Sequence, residues 1–99
     1  MNVLLKVVQG PNAGAEIALA CGMTVSLGKG DSCDILLADQ SLGDVACELE
    51  VIGDRVRMLL PGGAEERLEP FRVRFIGDTT AIAVGPETGA WDELVWRMG

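Results

Sequence analysis

The chain has 99 residues, 48% of them hydrophobic, and a net charge of −7. That length supports one core and not two, so residues 1–99 are read as a single domain. No apolar run nears the ~18 residues of a membrane-spanning helix, and the acidic balance argues against nucleic acid and anionic lipid surfaces, which both present phosphates.

Met1 to Val8 is aliphatic without a basic leader or cleavage site, so no secretion signal is expected. Val3 to Val8 predicts a strand that stops at the turn formers Gly10-Pro11-Asn12-Ala13-Gly14. Glu16 to Leu19 returns as a second strand, and Thr24 to Leu27 follows Gly22 as a third. Asp34-Ile35-Leu36-Leu37 is a short apolar run that two packed sheets would bury. Cys47, Leu49 and Val51 then alternate with Ala46, Glu48 and Glu50, as a half-buried strand should.

Gly53-Asp54 fits a two-residue hairpin loop, which sets Ile52 opposite Arg55, Val51 opposite Val56, Glu50 opposite Arg57 and Leu49 opposite Met58. Cys47, Leu49, Val51, Val56, Met58 and Leu60 then share the inner face. Pro61 to Glu66 reads as a loop. Gly77-Asp78 predicts a second hairpin, with Phe75 opposite Thr80, Val73 opposite Ile82 and Phe71 opposite Val84 facing inward, and Arg72 and Arg74 outside against Ala81 and Ala83. Glu87 to Trp91 is a loop leading to a last strand, Leu94 to Arg97, anchored by Trp91 and Trp96. No segment of the first half keeps a helical apolar period. The pattern is all-β, about ten short, mainly antiparallel strands in a β-sandwich, with a barrel as the competing architecture.

Catalytic chemistry finds no support. The chain has no histidine and no tyrosine, and no nucleophile stands beside a base. Cys33 lies between Asp31 and Asp34, the opposite of the electropositive setting of a reactive thiol. Cys21, Cys33 and Cys47 leave one thiol unpaired under any pairing and form no C-x-x-C, so reduced thiols in a cytosolic compartment are expected. Gly28-Lys29-Gly30 is too short for a nucleotide loop, and no helix follows it. No cofactor and no metal are expected. The charge is uneven: residues 1–54 hold Lys6 and Lys29 against eight acids, while all six arginines lie beyond.

From Leu27 to Leu49 the sequence resembles the forkhead-associated (FHA) signature, in which a Gly-Arg pair, an Asp-Ile-x-Leu strand and a Ser-x-x-His turn read phosphothreonine. Gly28-Lys29, Asp34-Ile35-Leu36-Leu37 and Asp39-Gln40-Ser41-Leu42 match in order and spacing. The phosphate-binding positions depart from it: lysine stands for the arginine at Lys29, and the serine, basic and histidine positions fall on Gly43, Asp44 and Ala46. Lysine lacks the two-pronged guanidinium, and Asp44 would face a ligand of about −1.5 to −2 charge. Losses of this kind would erase a typical micromolar affinity of about −8 kcal/mol, so a phosphothreonine peptide is not the expected ligand.

Three blocks, Val7 to Leu19, Gly28 to Ala46, and Ile76 to Pro86 with Trp91, resemble the cytoplasmic domain of the SctD (YscD) inner-membrane ring proteins of type III secretion systems. The resemblance implies a non-catalytic scaffold at the cytoplasmic face of the bacterial inner membrane, tethered by a membrane helix outside this chain. Its partners would be sorting-platform proteins and neighbouring ring subunits. The partner-binding loops implied are Gly28–Ser32, Ala38–Asp44 and Pro61–Glu66, with Lys29, Gly30, Asp31, Ser32, Asp39, Ser41, Gly43, Asp44, Gly62, Gly63 and Glu65 as candidate residues. Asp31, Asp39 and Asp44 would make that end acidic and suit a basic partner. The alternatives are a phosphopeptide reader using Lys29, Ser41 and Ser32, and a soluble FHA-like adaptor.

Overall fold

A computed structural model describes residues 3–87 and Trp91. Nine strands lie among them: β1 (Val3–Gln9), β2 (Glu16–Leu19), β3 (Thr24–Gly28), β4 (Ile35–Leu36), β5 (Cys47–Ile52), β6 (Arg55–Leu59), β7 (Glu65–Leu68), β8 (Arg74–Phe75) and β9 (Ala81–Pro86). They form a four-stranded sheet, β2-β1-β9-β8, and a five-stranded sheet, β4-β3-β5-β6-β7. Every pairing is antiparallel except β3 with β4. The sandwich architecture expected from the alternation is present; the expected strand at Leu94 to Arg97 lies outside the described residues.

The core forms where the inner faces meet. Leu5, Val7, Ile82 and Val84 come from one sheet, and Leu27, Cys47, Leu49, Val51, Val56 and Met58 from the other. Burying a side chain of the Leu or Val class contributes about 1.5–3 kcal/mol. The first hairpin has the register that its two-residue loop dictates, Ile52 with Arg55 through Leu49 with Met58. Gly53, at φ 63°, supplies the positive angle this turn requires. On the outer face, Arg57 meets Glu50 as its cross-strand partner and Glu65 as a second acid.

Four sequence expectations change. Glu65 and Glu66 are not loop residues: they open β7, paired with Leu59 and Met58, and the turn is Leu60 to Ala64, closed by the Leu60 N–H on the Ala64 carbonyl at 2.8 Å. Polar composition hid this strand, which is an edge with one solvated face. Leu36, expected inside, is 57% exposed; β4 is only two residues long, and its alternation sends Ile35 and Leu37 inward but Leu36 out.

The second hairpin is displaced by one residue. Arg74 pairs with Ile82 and Phe75 with Ala81, and the Ile76 N–H reaches the Thr80 carbonyl at 2.9 Å. Three residues, not two, therefore form the turn, and a one-residue slip exchanges the faces. Arg74 turns inward and crosses to the other sheet, with Nε 3.0 Å from both carboxylate oxygens of Glu66. Phe75 turns out and is 45% exposed. The cause is tertiary: Asp78 and Thr79 are bonded to Ser41 and Asp39 of another loop, which sets the length of the turn.

Ala81, Ala83 and Gly85 are buried although they belong to the outer face. Trp91 packs there. A Cβ on Gly85 would lie 3.1 Å from its ring and 3.0 Å from that of Phe71, the two rings meet edge to face at 5.0 Å, and the Lys6 ammonium stands 4.8 Å above the indole. The indole N–H donates to the Pro86 carbonyl at 2.7 Å. Small residues on β9 thus leave room for a tryptophan rather than for arginine stems. Phe71 accepts a left-handed backbone, φ 62°, to take its place in this cluster.

Burial decides thiol behaviour. Desolvation pushes the Cys47 thiol up to about 11, opposed by the Arg74 guanidinium, and Cys21 is exposed. Alkylation of the folded protein at pH 8 is expected to modify Cys21 and leave Cys47 untouched, as read by intact and peptide mass spectrometry; rapid modification of Cys47 would contradict the packing.

Candidate functional site

The loops at one end of the sandwich are built around a buried carboxylate. Asp39 is 5% exposed. Its Oδ1 accepts from the Ser41 N–H at 2.9 Å and the Ser41 hydroxyl at 2.6 Å. Its Oδ2 accepts from the Thr79 and Thr80 hydroxyls at 2.8 and 2.7 Å. The Ser41 oxygen accepts in turn from the Asp78 N–H at 3.1 Å. The Ser41 hydroxyl and then that of Thr80 hold the Asp39 carboxyl well below the usual carboxylate range, with burial opposing them. One side chain thereby ties the β4–β5 loop to the β8–β9 turn. The Asn12 carboxamide oxygen adds the β1–β2 turn by accepting from the Ala38 N–H at 2.7 Å.

A second lock joins residues 28–33 to 43–46. The Gly30 N–H donates to the Asp44 carbonyl at 3.0 Å, the Lys29 N–H to the Gly43 carbonyl at 3.3 Å, and the Ala46 N–H to the Leu27 carbonyl at 2.7 Å. Cys33 also donates its thiol to the Asp44 carbonyl, at 2.9 Å. A Cβ on Gly28 would stand 2.2 Å from that same oxygen, so glycine is there for space.

These contacts bring together Lys29, Gly30, Asp31, Ser32, Ser41, Gly43 and Asp44, seven of the residues singled out in the sequence. Asp31, Ser32, Ser41, Gly43 and Asp44 are exposed, and Lys29 and Gly30 half-buried. Asp39 differs: it is a structural acceptor inside the loop end, unavailable to a partner, because four donors converge on it. Ser41 is also committed through its hydroxyl, which leaves the phosphopeptide constellation of Lys29, Ser41 and Ser32 without a free Ser41 donor. Gly62 and Gly63 are exposed in the β6–β7 turn. Strand register places that turn at the same end, since Glu48 near the start of β5 pairs with Leu59 at the end of β6. Glu65 lies in β7, 3.3 Å from Arg57. Sequence reasoning missed Asn12, Thr79 and Thr80; a hydroxyl pair after Gly77-Asp78 was the signal available for the last two.

The Lys29 ammonium lies 3.4 Å from the Gln40 carbonyl, and Gly43, Asp44 and Ala46 present no basic side chain. Two of the described arginines are paired with acids, Arg57 with Glu50 and Glu65, and Arg74 with Glu66. A separate apolar cavity of about 330 Å³ opens at the opposite end, between Val3, Val56, Leu68, Phe71 and Val84, and touches none of the candidate residues.

Residues 6–86 match the family described as the cytoplasmic domain of the inner-membrane component of the type III secretion system, T3SS. The chain belongs to this family. The FHA domain of the CT664 protein from Chlamydia trachomatis has the same fold, with a TM-score of 0.80 and 22% identity over 89% of this chain and 100% of that one. The cytoplasmic domain of the T3SS sorting platform protein PscD from P. aeruginosa superposes with a TM-score of 0.78, at 23% identity over 92% of this chain and 85% of its own. An FHA domain of an Arabidopsis thaliana hypothetical protein reaches 0.77 at 18% identity, over 90% and 88%. No curated protein sequence matches the chain. The chain thus combines membership of the T3SS inner-membrane component's cytoplasmic-domain family with an FHA fold. Among its described residues no helix is long and apolar enough to cross a membrane.

Proposed function

We propose that this T3SS domain is a non-catalytic scaffold on the cytoplasmic side of the inner membrane. It couples the membrane ring to cytosolic sorting-platform proteins and no longer reads phosphothreonine. The observation that carries this is the loop end: an FHA frame is kept rigid by Asp39 and Gly28, while its exposed side chains include Asp31 and Asp44 and the ammonium of Lys29 is directed at the Gln40 carbonyl. Such a surface disfavours a dianionic ligand by like-charge juxtaposition. It suits a basic protein partner. Weak contacts of this kind strengthen when many copies are held together, because each further contact is made at high effective concentration.

The test is capture of the sorting platform by the full-length, membrane-embedded protein. Asp31→Lys with Asp44→Lys is expected to reduce capture at least tenfold, with Arg55→Glu at the opposite end as the control. Unchanged capture by the double variant would overturn the reading. So would a phosphothreonine peptide that shifts the Lys29 and Gly30 amide resonances in a manner abolished by Lys29→Ala.

A further inference from the structure

The apolar cavity remote from the loops has a polar annex. Its main chamber, about 330 Å³, lies between the sheets, with Val3 and Val84 from one and Val56 and Leu68 from the other, a volume at the lower end of small-ligand pockets. A recess of about 180 Å³ adjoins it: Asp54, Leu68 and Pro70 line both, and Arg55 and Arg67 line the recess. The strand register puts the two arginines there. Val56 pairs with Leu68, and Arg55 and Arg67 each precede one member of that inward-facing pair. Both arginines are exposed. Among the described residues Arg55 forms no ion pair, and Arg67 reaches only Glu69, at 3.9 Å. Phe71, the one non-glycine residue among those described with a left-handed backbone, also lines the chamber; strain of that kind gathers at ligand sites.

An apolar chamber joined to a recess with two guanidinium groups matches a molecule built of the same two parts. We propose that this end of the domain binds an amphiphile with an anionic head: the hydrocarbon tail enters the chamber, and a phosphate or carboxylate head is held in the recess by Arg55 and Arg67. A guanidinium grips such a head through paired N–H donors, and it does so against a single lining carboxylate, Asp54. The net charge of −7 disfavours an anionic surface for the domain as a whole, so selection rests on the tail and on the charge of the recess together. For the cytoplasmic domain of an inner-membrane component, bilayer phospholipid is one source of this chemistry and a free single-chain amphiphile is the other.

The test titrates the isotope-labelled domain at low ionic strength with hexyl phosphate, inorganic phosphate and hexyltrimethylammonium. Hexyl phosphate is expected to shift the Val56, Leu68 and Phe71 amides, and octyl phosphate to do so at least fivefold more tightly, because each added methylene leaves water. Inorganic phosphate and the ammonium compound are expected to leave them in place. Arg55→Glu with Arg67→Glu, both at exposed positions, is expected to weaken hexyl phosphate at least tenfold, and Leu68→Phe, which fills the chamber, to weaken octyl phosphate as much. Should Leu68→Phe fail to fold, the chain-length series and the arginine variant decide. An equal response to the ammonium compound or to inorganic phosphate, no gain with chain length, or shifts confined to Lys29 and Gly30 would each overturn the proposal. Flotation with phosphatidylglycerol vesicles, lost in the double arginine variant, would uphold it with a bilayer lipid as the source; hexyl phosphate binding without flotation would uphold it with a free amphiphile. Sorting-platform capture is read at the other end of the domain, so this proposal and the scaffold reading fail separately.

Discussion

Replacing Asp39 with alanine is expected to loosen the loop end as a unit and lower the thermal midpoint by roughly 10 °C. Thr80 is fully buried, and without the Asp39 carboxylate its hydroxyl loses its acceptor, which costs about 1–3 kcal/mol; in a domain of this size each kcal/mol moves the midpoint by about 4–8 °C. Ser41 and Thr79 lose the same acceptor, so the β4–β5 loop and the β8–β9 turn separate together. Amide exchange should therefore quicken at Ser41, Asp78 and Thr79 far more than in β5 and β6. A variant with unchanged midpoint and unchanged protection would show that the carboxylate is not the organiser described above.

The same residue sets the response to acid. The folded state holds the Asp39 carboxyl below its ordinary value, through the Ser41 hydroxyl first and then that of Thr80. Ionised Asp39 therefore stabilises the fold above the unfolded-state value of about 4, and that contribution is lost as pH falls through the lower folded-state value. Glu66, lowered by its hydrogen bond from Arg74, acts with the same sign. Thermal midpoints measured from pH 7 down to pH 2 should hold level and then drop below about pH 4. Asp39→Ala should start lower and fall less steeply.

The second large effect belongs to Gly28→Ala. A methyl group there would stand 2.2 Å from the Asp44 carbonyl oxygen, 2.8 Å from its carbon and 3.0 Å from the Ala46 nitrogen. All three are main-chain atoms, which cannot rotate away as the end of a side chain can. Overpacking and the loss of the Gly30-to-Asp44 or Ala46-to-Leu27 hydrogen bond together cost about 3 kcal/mol, corresponding to roughly 10–20 °C in the thermal midpoint. Gly43→Ala is the matched control, since its nearest atom would be the Val45 carbonyl at 3.7 Å, an ordinary contact. Equal midpoints for the two variants would exclude steric exclusion at Gly28.

The contrast between these glycines separates local from tertiary information. From the sequence, Gly28 reads only as part of the FHA-like Gly-Lys pair; in the structure it is needed because another loop crosses it. Local pattern was enough wherever side chains alternate and the turn closes on itself. Val51 faces Val56 and Glu50 faces Arg57 because Gly53-Asp54 imposes that register with no help from distant residues. The residue types at Lys29, Gly43, Asp44 and Ala46 are read directly from the sequence, because a residue's identity is the same in any fold.

Tertiary structure decided what depends on residues far apart in the chain. The Gly77-Asp78 hairpin resembles the first in composition, yet Ser41 and Asp39 hold its turn open by one residue, which sends Arg74 to Glu66 across the sandwich and Phe75 to solvent. Asp39 looked like a surface acid in a polar loop; three hydroxyls and an amide converging from two loops make it a buried acceptor. Ala81 and Ala83 looked like accommodation for arginine, yet they are buried on a face of β9 where Trp91 packs over Gly85. Periodicity reports which face a residue takes within its own strand, while the occupant of the space above that face is set by where the rest of the chain packs.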